Sequence, residues 1–426
     1  MKCILSILCI MSFIVADSDR SQNAAVIYWK ATALTSKEVA EKQKNSSQFA
    51  RMAQNGELGK LFSDNEAVIQ EVIKASKLPY CRFVLDVEYK EGGDILLPHL
   101  AKMMELSRLV VLSGLHAASQ KNWSKAGERY LAAMRFSRHI GQDPILISHL
   151  ASYASLGMSL SAIRNTALHE NFPQDLVKTI HKQLEQMLPH MYLSKAFHTE
   201  AQYFLTPYRE NLQRNDLSGV WQLLSLTLSG EDKKFIDQLA TEKTFPQTQK
   251  LQKLAAIFGV STTMISSKEN LAKYMIRGLD EYATHAQEIA AICQLPYRSG
   301  KQKYQELKNS LPQKHFCVRF MSAMKTYETQ LRMYANIAMT KTLLRLISYH
   351  KAGKDFPETL PKESIGLYST DDLEYQKQSS GFRLQLNETI SGHKFVYTVT
   401  IKNNALQWNC RKYVGEKISE QEKYPQ

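Results

Sequence analysis

Three helical segments between Asp94 and His169 constrain this chain more than any other stretch of it. Trp123, Ala126, Tyr130, Ala133, Ser137 and Ile140 recur at spacings of three and four, so they share one face of a helix over Trp123–Ile140. Lys125, Glu128, Arg129, Arg135 and Arg138 fall on its other faces. The helix before it starts near Asp94 and turns Leu96, Leu100, Met103, Val110 and Ala117 inward. Lys102, Glu105, Arg108, His116 and Gln120 form its polar stripe. Only Lys121-Asn122 separates the two helices, which predicts an antiparallel hairpin. A third helix is expected to open at Asp143-Pro144, a capping residue followed by proline at the first helical position.

That third helix admits two readings. Ile145 to Ile163 contains no Asp, Glu, Lys or Arg and has about the length of a membrane span. It also carries His149, Ser148, Ser152, Ser155, Ser159 and Ser161, with small residues at Ala151, Ala154, Gly157 and Ala162. Small residues and hydroxyls allow close helix packing in water as in lipid, and the pattern favours a buried helix of a folded domain.

The remaining chain continues the helical theme to His350. Short helices are expected over 24–33, 36–52 and 64–77, then longer ones over 172–188, 192–212, 217–228, 246–258, 267–293 and 318–350. The period then changes. Gly353 and Pro357 end the last helix, and Phe382–Leu386, Phe395–Ile401 and Ala405–Trp408 alternate as strands, with Asn403-Asn404 a tight turn between the last two. The expected fold class is mainly α: an antiparallel array of helical hairpins (residues 17–350) with a small C-terminal antiparallel β-sheet (residues 351–426) packed on the last helix.

Three resemblances follow from these residues. Asn122-Trp123-Ser124-Lys125-Ala126-Gly127-Glu128-Arg129-Tyr130 resembles the middle of a tetratricopeptide unit. Cys81-Arg82-Phe83-Val84-Leu85-Asp86, then Leu96-Leu97-Pro98-His99-Leu100, with Asn23-Ala24-Ala25-Val26-Ile27-Tyr28-Trp29 upstream, resembles a family of exported helical bacterial proteins of unknown function. That likeness implies fold and location and carries no activity. The passage from Tyr349 through Gly353 and Phe356-Pro357 into strands is similar to the globular part of secretion pseudopilins. There the apolar helix is N-terminal, whereas here the helix is C-terminal, so the likeness implies a sheet shape and not a pilus role.

Export is expected from Met1–Ala16: Lys2 is the charged start, Ile4 to Val15 the apolar run, and Ala16 a small residue at the cleavage point. The mature chain would then be secreted or periplasmic, with no further transmembrane span. Four cysteines would remain, Cys81, Cys293, Cys317 and Cys410. None is spaced C-x-x-C, which argues against a zinc ribbon or a thioredoxin-type site. Cys293 and Cys317 are either a disulfide or two buried thiols. Apolar residues make up 44% of the chain, enough for a sizeable core. The net charge of +13 favours anionic partners. Its densest run is Arg298, Lys301, Lys303, Lys308, Lys314 and Arg319, with Tyr297, Tyr304 and Phe316 interleaved, which reads as a solvated linker or a binding surface. An exported chain without a recognisable nucleic-acid motif is a poor candidate for nucleic-acid binding.

Catalytic signatures are missing. There is no P-loop, no G-x-G-x-x-G, no H-E-x-x-H and no G-x-S-x-G. His190 and His198 stand two helical turns apart, roughly 12 Å, too far to share one metal ion, so no metal or cofactor is expected. Arg82 and Asp86 are either a structural ion pair or, with Glu88, part of a site on the loop from Cys81 to Gly93. The sequence therefore favours a non-catalytic scaffold binding a protein or an anionic envelope component through Arg82, Asp86, Arg298, Lys301, Lys303 and Tyr304. A hydrolase of envelope material, or an accessory part of a secretion or pilus-like assembly, are the alternatives.

Overall fold

The computed structural model describes residues 23–42, 46–83, 97–190, 192–228, 230–242, 245–310, 322–386, 390, 393–402, 405–414 and 417–418. The segment Met1–Ala16 expected to direct export, Asp86, Glu88, Cys317 and the expected turn at Asn403-Asn404 lie outside them.

The hairpin forms where the apolar spacing places it. The Pro98–Ser119 and Trp123–Ile140 helices pack antiparallel, and Leu146–Ala167 packs against both. Asn122 caps the middle helix, its side chain accepting the Lys125 N–H at 3.1 Å. Tyr130 is fully buried, its hydroxyl hydrogen-bonded to Thr166 Oγ1 at 2.7 Å. A Cβ on Gly114 would lie 2.6 Å from the Tyr130 ring, so a glycine there lets the aromatic ring reach the backbone of the facing helix. Trp123 is half-buried, its ring 5.7 Å from His169 and 5.9 Å from Phe172.

Three expectations about this region need correction. The described part of the first helix begins with Pro98 in its first turn rather than at Asp94. Asp143 does not cap the third helix: Ile145 holds the cap position, and the fully buried Asp143 carboxylate instead accepts the Phe83 N–H at 3.2 Å. Arg129, assigned to an outer face, is only 2% exposed, because the Glu66–Ser76 helix covers that flank through Val68, Ile69, Val72 and Ile73.

Among the described residues, Leu146–Ala167 is the helix long and apolar enough to cross a membrane. In the fold it is largely enclosed. The hairpin covers one side and the Ser322–Lys351 helix another. Some of its hydroxyls find partners inside: Ser152 donates to the Ser137 carbonyl at 2.6 Å, and Ser155 pairs with Ser107 at 2.6 Å, whereas the buried Ser148 Oγ has none among the described residues.

The second half is more broken than its periodicity suggests. The single helix expected over 192–212 is Ser194–Thr199, a π-turn over Glu200–Phe204, and Thr206–Gln213. Glu200 Oε1 accepts the Leu146 N–H at 3.3 Å, and burial pushes its carboxyl up to about 7. Gly230–Thr241 is a further helix that the pattern did not reveal. The basic run beyond Cys293 also contains a helix, Tyr297–Ser310, seated by Tyr297, Gly300 and Tyr304. The last helix, Ser322–Lys351, touches Leu146–Ala167, Gln174–Met187 and Lys268–Ile292, and so joins the two halves.

β1 (Ser364–Ile365) and β2 (Tyr368–Ser369) pair with each other. β3 (Leu373–Gln378), β4 (Gly381–Leu386), β5 (His393–Lys402), β6 (Ala405–Val414) and β7 (Lys417–Ile418) form an antiparallel meander. The three expected strands form as β4, β5 and β6, and four more, β1, β2, β3 and β7, accompany them among the described residues. Phe382, Leu384 and Val399 are fully buried, and Phe382 meets Phe356 edge-on at 4.9 Å. Charge also stitches the sheet module to the last helix: Lys341 lies 3.0 Å from Glu185 and 3.6 Å from Glu363, and Arg345 lies 2.5 Å from Glu363.

Candidate anion-binding cleft

A cleft of about 290 Å³ opens where the Gly59–Asp64 and Glu66–Ser76 helices meet the hairpin. The helix start that carries Glu66 is fixed by the buried Asn65. Its amide donates to the Leu61 carbonyl at 2.8 Å, and its Oδ1 accepts the Ser36 N–H at 3.2 Å. On the hairpin side, Lys125 and Arg129 are four residues apart and so share a helix face. Both converge on one oxygen. Arg129 Nη2 donates to Glu66 Oε2 at 2.6 Å, and Lys125 Nζ lies 3.1 Å from the same atom. Gln70 donates to the other oxygen at 2.9 Å.

Arg129 is held rigidly. Its Nη1 donates to the Ser113 carbonyl at 2.9 Å, while its Nε is buried and has no acceptor among the described residues. His116 lines the cleft beside Phe62, the rings 5.3 Å apart. Burial, reinforced by the charges of Arg129 and Lys125, lowers the His116 pKa, so the ring is neutral near pH 7. Its buried Nδ1 likewise has no partner among the described residues. Burial alone would raise the Glu66 carboxyl, but the Gln70 hydrogen bond and the Arg129 and Lys125 cations hold it below the usual range. The cleft thus carries two cations against one carboxylate, with an apolar floor of Phe62 and Ala117.

The residues singled out from the sequence lie elsewhere. Arg82 is tied through its backbone to Asn23, its N–H donating to Oδ1 at 2.9 Å. Its proposed partner Asp86 is outside the described residues. Arg298 donates to Asp372 at 2.7 Å and to the Asp371 carbonyl at 3.0 Å. Lys301 lies 5.7 Å over the Tyr297 ring, and Lys303 is exposed. Tyr304 is a correction: it is buried against Tyr327, ring centres 4.8 Å apart, and offers no binding surface. Cys293 is buried with a free thiol, and the pairing with Cys317 falls outside the described residues. His190 and His198 are both exposed, and the described residues hold no group of three metal-binding side chains.

A second pair of buried ionisable side chains lies near the Cys81–Phe83 segment. Asp143 Oδ2 lies 3.4 Å from His99 Nε2, both side chains sealed at 0% and 3% exposure. His99 stacks on Phe83 at 4.8 Å. Gln142 accepts the Cys81 N–H at 2.7 Å. Burial, aided by the Asp143 charge, pushes the Cys81 thiol well up, so it stays protonated.

No family model, curated protein or solved structure matches the chain at a significant level.

Proposed function

We propose that this protein is a non-catalytic helical scaffold, exported by the Met1–Ala16 segment, that recognises an anionic group on a protein or envelope partner. One observation carries the reading: two cations share a single carboxylate oxygen at an open cleft, and the more deeply buried of them keeps a donor with no acceptor among the described residues. A surplus of fixed positive charge beside accessible space draws and orients an anion. The net charge of +13 supports this by favouring encounter with acidic surfaces.

Affinity capture from envelope extract with the intact protein and with Lys125→Glu tests the reading. A partner retained by the first and lost by the second supports it. Identical captured sets would remove the cleft from the function.

The hydrolase alternative draws its best support from the Asp143–His99 pair beside the Cys81–Phe83 segment. A sealed carboxylate and imidazole next to a protonated thiol provide neither an accessible base nor a nucleophile. Binding is therefore the better-supported function.

A further inference from the structure

We infer that the ligand of the cleft is a monoanionic carboxylate, and that Glu66 fills the ligand's place in the free protein; this rests on the cleft being the binding site. Three donors already converge on Glu66: Arg129, Lys125 and Gln70. They are arranged around a planar group with two acceptor oxygens, so the wall of the cleft is shaped for a carboxylate.

Glu66 uses this wall incompletely. A guanidinium binds a carboxylate best through two parallel N–H donors. Glu66 engages Nη2 of Arg129, while Nε remains without an acceptor among the described residues. An incoming carboxylate that spans Nε and Nη2 makes the second bond that Glu66 does not make.

Glu66 is also the partner able to leave. Its side chain is 32% exposed, whereas that of Arg129 is 2% exposed and tied to the Ser113 carbonyl. A buried cation stripped of its counter-ion is costly, so Glu66 departs by exchange with another anion and not to leave an empty site. Charge balance selects the class. A single carboxylate replaces the departing Glu66 charge for charge, so the site keeps the net charge it carries in the free protein. Phe62 and Ala117, which line the same cleft, suit the aliphatic stem of an acidic side chain or of a C-terminal residue.

Calorimetric titration of the full chain tests this. The probes are propionate, a C-terminally amidated peptide with one glutamate, a free-acid peptide of equal length without acidic side chains, and inorganic phosphate. Carboxylates should bind, and Glu66→Gln should bind them about tenfold more tightly because the internal competitor is gone. Arg129→Lys should abolish binding. Lys125→Met, at a half-exposed position that leaves the core intact, should weaken binding severalfold even if the arginine variant fails to fold. The two peptides distinguish a side-chain carboxylate from a chain terminus. Phosphate binding without carboxylate binding would overturn the ligand class and leave the anion cleft standing. Carboxylate binding unchanged in Glu66→Gln would overturn the exchange. No anion binding in any variant would overturn both the inference and the function it rests on.

Discussion

The Arg129–Glu66 and Asp143–His99 pairs each set a buried ionisable side chain against another, and they differ in access. At Arg129 and Glu66 the acid is one-third exposed, a second cation joins, and a cleft leads in. At Asp143 and His99 both groups are sealed, and the carboxylate also holds the Phe83 backbone. The contrast teaches that burial of charge is not itself a mark of function. The sealed pair fixes the path of the chain from Cys81 to Phe83, where exchange with a ligand has no route. The open pair has surplus charge and a route.

The hairpin that separates the two places sets the scale for testing them. Tyr130→Ala should cost about 3–5 kcal/mol, the loss expected on truncating a fully buried aromatic. A denaturation midpoint unchanged from that of the intact protein would show that the hairpin does not hold the two charged places apart. Asp143→Ala should cost about 3 kcal/mol, since it leaves the Phe83 N–H without its acceptor and takes away the carboxylate packed 3.4 Å from the His99 ring. A loss no larger than that of an exposed-pair variant such as Lys60→Ala would erase the distinction drawn here.

Glu200 sharpens the comparison by showing a half-buried acid whose described partner is a backbone amide. Its carboxyl is raised to about 7, above the ordinary value of 4.5. A raised acid contributes stability below pH ~4.5 that is lost as pH rises through about 7. Glu200→Gln should therefore hold its stability from pH 5 to 8, while the intact protein declines by on the order of 2 kcal/mol. Parallel pH profiles of unfolding would refute this. The smallest effect belongs to the open pair. The Glu66 carboxyl is lowered, so its contribution is present above its unfolded pKa and fades as pH falls through the folded one. Because Glu66 is partly solvated, Glu66→Gln should cost only about 1 kcal/mol near pH 7, and the difference should vanish in strong acid. A larger loss than in Asp143→Ala would reverse the roles of the two places.

The hairpin was legible because its period is local and its loop is two residues long; Tyr130 and the Asn122 turn needed no distant partner to be recognised. Arg129 was not legible, because its burial depends on a helix 63 residues upstream that a single helical wheel cannot contain. Asp143 misled for the same reason: a capping residue before proline is a local signal, and the Phe83 N–H claims its carboxylate from elsewhere in the chain. The Tyr297–Ser310 helix read as a linker because its buried face consists of two tyrosines and a glycine, whose partners Tyr327 and Tyr368 come from later segments. Strands β4, β5 and β6, by contrast, declared themselves through alternation, whereas the mostly polar β3 and the two-residue β1, β2 and β7 did not.

The long reach of the Ser322–Lys351 helix sets a clock on biosynthesis. It closes over Leu146–Ala167, yet about 155 residues must be translated after that apolar helix before its cover begins to emerge. At ~5–20 residues per second, the wait is on the order of ten to thirty seconds. Throughout it the nascent chain displays a 22-residue helix of membrane-like composition with one flank uncovered. Ribosomes stalled upstream of Ser322 would hold that flank open indefinitely, and such chains are where holdase chaperones should be found bound.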